Sequence, residues 1–194
     1  YNIAPSQDAG VIVNDGARKL ELMRWGRVPF WAKNIAIVCK MINARAEAVA
    51  EKPSFKRSLE RRRCLVPSCG FYEWRKMDGA ENKIPMRFVL KSRELFAFAG
   101  LWDAWKKPDG TELRSFTIIT TAANDLLRSV HDRMSVILRQ EDEEKWLYPS
   151  VTEAGRLTSL FSQYPADAME TFEVSTLVNS PKNDGPECAW LDIS

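Results

Sequence analysis

Apolar positions in this chain come in short runs rather than in long helical stripes. Residues 11–13 and 20–25 have the composition of strands, and Asn14-Asp15-Gly16 between them supplies the residues that tolerate a hairpin turn. Residues 54–62 follow Pro53 and carry Phe55 and Leu59 at helical spacing, with Lys56, Arg57, Arg61 and Arg62 around the remainder, which predicts a short basic helix. A β-rich block follows at 64–66, 71–76, 85–91, 95–105 and 113–121, punctuated by Met77-Asp78-Gly79 and Pro108-Asp109-Gly110. Within 85–91, Met86, Phe88 and Leu90 alternate with Arg87, Val89 and Lys91, the pattern of a strand with one face on a core. Helical patterns return at 124–127, 141–148 and 153–162, and a last strand is expected over 172–178. Strands joined by tight turns, with helices outside the block, predict an α+β fold: one domain over residues 1–194, mainly antiparallel sheet, curled or barrel-like, with peripheral helices.

Length and composition agree with that reading. A chain of 194 residues, 45% hydrophobic and 28% charged, buries a core unaided and is neither disordered nor a disulfide scaffold. No stretch reaches the roughly 20 apolar residues of a membrane helix, so no membrane partner is expected. The four cysteines, Cys39, Cys64, Cys69 and Cys188, form no repeated CxxC pair, and His131 is the only histidine, so no metal site and no cofactor are expected. With no leader visible, the thiols read as reduced and intracellular. The net charge of +2 conceals an asymmetry: residues 17–63 hold 13 Lys/Arg against 4 Asp/Glu, a net +9, while residues 64–194 come to −5. Charge concentrated in this way either steers a polyanion or belongs to a solvated basic helix.

Several polar residues stand where chemistry is possible. His131 lies between a helical stretch and the apolar run 136–138, and its side chain is the one that titrates near neutrality when unperturbed. Glu73 sits within Phe71-Tyr72-Glu73-Trp74; it is either a poorly solvated proton carrier or an outward-facing strand glutamate. Asn43-Ala44-Arg45-Ala46-Glu47 gathers an amide, a guanidinium and a carboxylate. Arg45 suits phosphate recognition and Asn43 can orient a reactive group, although by itself the segment reads as a polar loop. Trp25 and Trp31 flank a Gly/Pro turn among Arg24, Arg27 and Lys33. Aromatics interleaved with cations suit a single-stranded nucleic acid, and also an ordinary core edge.

The order of these segments carries a resemblance. Tyr-Asn-Ile-Ala-Pro at 1–5, Trp-Gly-Arg-Val-Pro at 25–29, Asn-Ala-Arg-Ala-Glu at 43–47, Arg-Cys-Leu-Val-Pro at 63–67, Gly-Phe-Tyr-Glu-Trp at 70–74, Phe-Ala-Gly-Leu-Trp at 98–102, Thr-Thr-Ala-Ala-Asn at 120–124, His-Asp-Arg-Met at 131–134 and Val-Asn-Ser-Pro-Lys-Asn-Asp-Gly at 178–185 resemble the successive motifs of the SOS-response-associated peptidase family. The resemblance implies capture of abasic sites in single-stranded or junction DNA. An N-terminal cysteine, exposed by removal of the initiator methionine, forms a Schiff base through its amine and closes a thiazolidine through its thiol. It further implies that Asn43 holds that amine, Glu73 shuttles protons and His131 assists opening of the sugar or departure of water. Arg45 would grip a phosphate, Thr120 would line the site, and Asn2, Pro5, Trp25 and Trp31 would contact the DNA. A monomer is expected, in the cytoplasm with the nucleoid if the source is bacterial and in the nucleus if it is eukaryotic.

The sequence departs from the family at its opening, where Tyr1 stands in place of a Met-Cys-Gly-Arg start. The expectation is that the nucleophile segment is missing, because Asn43, Glu73 and His131 are all present. Two other functions compete: a noncatalytic reader of single-stranded or junction DNA, and a cysteine peptidase pairing Cys64 or Cys69 with His131. The second has no local support, since neither cysteine has surroundings that lower a thiol pKa.

Overall fold

The computed structural model describes residues 1–35, 41–77, 79 and 82–190; Cys39 and Asp78 lie outside them. The hairpin forms as the turn residues dictate. Strand β1 (Asp8–Asn14) pairs antiparallel with β2 (Arg18–Trp25), and Gly16 takes the positive φ of 84° that the turn requires. β1 also pairs with β4 (Arg63–Ser68), β4 with β7 (Phe96–Lys106), and β7 with β8 (Glu112–Ala122), all antiparallel. A short parallel contact, Arg24 with Ser115 and Trp25 with Phe116, joins β2 back to β8 and closes a five-stranded barrel.

The barrel's inside is apolar because alternate residues of every strand point inward: Val11, Val13, Met23, Cys64, Val66, Phe98, Phe116 and Ile118 form one cluster. At Gly100, a Cβ would stand 2.7 Å from Cys64 Sγ and 3.0 Å from Val66 Cγ2, so the two strands approach there only because this residue has no side chain. The other face of β7 and β8 carries Ala97, Ala99, Leu101 and Ile119, which pack under helices α1 (Ala46–Val49), α2 (Pro53–Arg61), α3 (Gln140–Leu147) and α4 (Ala154–Thr158). Helix α2 starts at Pro53, which needs no N–H at that position, and buries Phe55, Ser58 and Leu59 on one face. A second, three-stranded sheet of β5 (Phe71–Arg75), β6 (Ile84–Leu90) and β10 (Met169–Glu173) lies against the barrel, with Phe71 stacked on Phe88 and set edge-on to Phe98. No helix among the described residues is long and apolar enough to cross a membrane.

The α+β barrel with peripheral helices is thus as the pattern predicts, with local differences. The strand expected over 172–178 runs instead from Met169 to Glu173. It is followed by a 3₁₀ turn, Thr176–Asn179, capped by Ser175 Oγ, which accepts from the Leu177 N–H. The polar segment at 43–47 is no loop: β3 (Asn43–Arg45) pairs parallel with β8 and leads into α1. The helix expected over 153–162 is only Ala154–Thr158. A three-residue strand, β9 (Arg133–Ser135), pairs with the end of β8 and has no sequence signal of its own, being too short for alternation to show.

Candidate active site

β8 organises the site by changing partners along its length. Its first half pairs with β7 and β2, and its second half with β3 on one edge and β9 on the other. Asn43 lies opposite Ile118 and Arg45 opposite Thr120, so these four side chains share one face, the face that Ile118 buries inside the barrel. Ala44 points the other way, into the cluster under the helices. Asn43 and Arg45 are exposed and Thr120 is buried, which puts an amide and a guanidinium at the open end of the barrel beside a buried hydroxyl.

Across Thr120, β9 brings in Arg133. Its Nη2 donates to the Thr120 carbonyl oxygen at 2.5 Å, and its guanidinium grips both oxygens of Glu47 at 2.7 and 2.9 Å. That pairing holds the Glu47 carboxyl below the usual carboxylate range. The Arg133 backbone N–H donates to His131 Nδ1 at 3.0 Å, which leaves the neutral ring its proton on Nε2, a tautomer assigned from the hydrogen-bond network. The Arg133 carbonyl oxygen at 3.1 Å and the Asp132 carboxylate at 3.3 Å stand ready to accept from Nδ1 when the ring is charged.

Glu73 reaches the same region from the second sheet. Phe71 points at the barrel, since its ring meets Phe98, and Glu73, two residues on, projects from the same face of β5. Burial pushes its carboxyl above the usual value of 4.5; His131 and Lys83 pull it down and Asp132 pushes it up, and burial prevails. These influences place Glu73 within electrostatic reach of His131. The arrangement offers one carboxyl that holds a proton more readily than usual and one imidazole able to donate or accept. At the same end of the barrel the exposed Arg45 guanidinium and Asn43 amide are groups able to meet a phosphate and to hold an amine.

The remaining expected residues fall elsewhere. Asn2 is buried, and its Nδ2 reaches the carbonyl oxygens of Val178, Ser180 and Asn183 at 3.0, 3.1 and 3.0 Å. Its donors are spent on the 178–183 loop, so it anchors that loop and has no amide hydrogen left for DNA. Pro5 is exposed. Trp25 is half-buried, stacked on Phe116 at 6.5 Å, and its indole N–H donates to the Ile42 carbonyl oxygen at 3.0 Å. It forms the wall of an apolar cavity of about 370 Å³ together with Ile3, Phe71, Tyr72, Phe98 and Phe116. Trp31 is 53% exposed. Sequence reasoning did not single out Glu47 as the partner of Arg133, nor Lys83 as a neighbour of Glu73; a pairing across 86 residues leaves no trace in local spacing. Cys64 is fully buried and its thiol pKa is pushed up, while Cys69 Sγ accepts from Arg87 at 3.4 Å. Neither thiol is hydrogen-bonded to His131, so a cysteine–histidine pair is not built here.

The family model described as SOS response associated peptidase (SRAP) matches residues 1–181. Abasic site processing protein YoqW of Bacillus subtilis (strain 168) is 53% identical over 188 residues, covering 96% of this chain and 84% of that protein. Abasic site processing protein HMCES of Xenopus tropicalis is 30% identical over 218 residues, covering 97% of this chain and 64% of that protein. The crystal structure of a Bacteroides thetaiotaomicron protein, 32% identical, matches 97% of this chain and 82% of its own length with a TM-score of 0.87.

Proposed function

Because the chain belongs to the SOS response associated peptidase (SRAP) family, we propose that it binds single-stranded DNA and serves the covalent capture of abasic sites, with Glu73 and His131 moving the protons. The observation that carries this reading is the half-buried Glu73 carboxyl, on the face of β5 that Phe71 packs against the barrel, raised above its ordinary pKa by burial and within electrostatic reach of His131. The relatives YoqW and HMCES are abasic site processing proteins by name.

The chemistry sets the demands. The ring-opened abasic sugar presents an aldehyde; an amine adds to it, the carbinolamine loses water to give an imine, and a thiol on the same residue adds to the imine to close a thiazolidine. One water leaves overall. Attack requires the amine to be neutral, and loss of water requires a proton on the departing hydroxyl. Protonated Glu73 supplies that proton and its carboxylate takes one back from the amine. His131, with Nε2–H available, assists opening of the sugar. Asn43 orients the amine, Arg45 holds the phosphate beside the lesion, and Thr120 closes the wall behind them. Asn2 contributes by fixing the 178–183 loop.

The test uses a single-stranded oligonucleotide with one abasic site, and protein carrying the Met-Cys-Gly-Arg opening of the family. Adduct surviving denaturation without reductant is expected, slowed on the order of a hundredfold by Glu73→Gln or His131→Ala, the scale of a positioned acid or base. Replacing the terminal cysteine with serine should abolish the stable product. Binding without any adduct in that protein would leave a noncatalytic reader of single-stranded DNA in its place.

A further inference from the structure

With the Trp25 ring packed and its N–H spent, the aromatic surface on offer beside the basic helix is Phe30 and Trp31, 50% and 53% exposed. Phe30 is not a stray apolar residue. The Arg57 guanidinium of α2 lies over its ring, 5.0 Å from the centroid, and Lys33, Lys52, Lys56 and Arg61 are exposed on the same two segments. Behind this surface is Asp103 of β7, 1% exposed, whose Oδ2 accepts from the Phe30 backbone N–H at 3.1 Å and from Arg27 Nη2 at 2.8 Å. Its Oδ1 accepts from Arg62, at the end of α2, and Arg27 also donates to Ser58 of α2 at 3.0 Å. Trp105 Nε1 donates to the Ala32 carbonyl oxygen at 2.7 Å and pins the far side of the turn. One buried carboxylate therefore fastens the turn bearing Phe30 to the helix bearing Arg57.

We propose that Phe30 with Arg57 is a base-stacking position for single-stranded DNA, beside Trp31, and that Asp103 is the positioning residue that holds it. The inference rests on the reading above that the chain binds single-stranded DNA. A half-exposed ring with a cation on it is what an unpaired base and its phosphate recognise without regard to sequence. The net +9 of residues 17–63 favours a polyanion over a second copy of this chain, which would bring the same charge to the contact.

The test is fluorescence anisotropy of the 194-residue chain with a labelled 12-nucleotide thymidine strand, the same strand carrying a tetrahydrofuran abasic analogue, and a 12-base-pair duplex. Phe30→Ala, a surface change that spares the core, should weaken both single strands by about 5- to 100-fold, the effect of losing one stacked base. Phe30→Trp should restore binding, and Arg57→Gln should reduce the salt slope by about 0.7, one phosphate on a single strand. Asp103→Asn should lose affinity in the same direction, and adding Phe30→Ala to it should cost less than in the parent. Affinity within twofold of wild type in Phe30→Ala, or an equal loss for duplex, overturns the proposal. So does unchanged DNA affinity accompanied by loss of a concentration-dependent dimer in sedimentation, which would make the surface a self-contact. Weakening of the intact and analogue strands alike, together with no adduct on an aldehydic abasic strand from protein carrying the Met-Cys-Gly-Arg opening, would sink the capture reading and leave this one standing.

Discussion

Glu73 makes the cost of the site measurable. Its folded-state pKa is raised above the ordinary 4.5 by burial, so between the two values the folded protein binds more of a proton there than the unfolded chain does. The stability attached to this group is present in full below about pH 4.5 and is lost as pH rises through the raised value. Glu73→Gln should therefore raise the melting temperature by a few degrees at pH 7 to 8 and leave it unchanged near pH 4, while slowing capture at both. A calorimetric pH series checks it, and an equal gain at all pH values would mean that burial of the charge is not the cause. Arg45 acts by contact instead. It is exposed, and Arg45→Ala should weaken single-strand binding by about 1–3 kcal/mol with no change in folding. Sequence alone could name both residues, because a carboxylate among aromatics and an arginine beside an asparagine are local patterns. It could not choose between Glu73 inside and Glu73 outside; Phe71 packing on Phe98 made that choice.

At the scale of elements, two joints bear the load of the architecture. Arg27 and Asp103 are each about 2% exposed, and removing Asp103 leaves the Arg27 charge in the interior with the Ser58 hydroxyl but without its carboxylate. Asp103→Ala should cost about 3–5 kcal/mol in urea unfolding. Replacement of both by apolar residues of similar volume should cost much less, which distinguishes a buried ion pair from simple packing. The second joint is Gly100, where β4 and β7 meet too closely for a Cβ. Gly100→Ala should destabilise by about 1–3 kcal/mol, and combining it with Cys64→Ala should cost less than the two changes added, because the second removes the atom the first strikes. The hairpin and the β-rich block were legible because alternation and turn residues act over a few positions. β3, β9 and the true limits of β10 were not. β3 and β9 are three residues each and exist only because β8 offers them an edge, and β10 takes its register from β6.

For the whole molecule, the basic third of the chain should govern association. Single-strand affinity should fall log-linearly with salt, with a slope of about −0.7 for each phosphate engaged, and a slope near zero in titrations from 50 to 300 mM salt would remove the electrostatic account. The sequence by itself determined the class of fold, the hairpin, the basic helix and the family, because periodicity, turn chemistry and ordered motifs are written in neighbouring residues. Only the tertiary structure decided that Glu73 lies within electrostatic reach of His131, that Arg133 joins Glu47 to the end of β8, that Asn2 is buried against the 178–183 loop while Trp25 stacks on Phe116, and that the Phe30 backbone is held by Asp103. Each of these depends on pairings between residues tens of positions apart, fixed by barrel closure and sheet-on-barrel packing, and nothing in the local chain encodes which distant partner a side chain will meet.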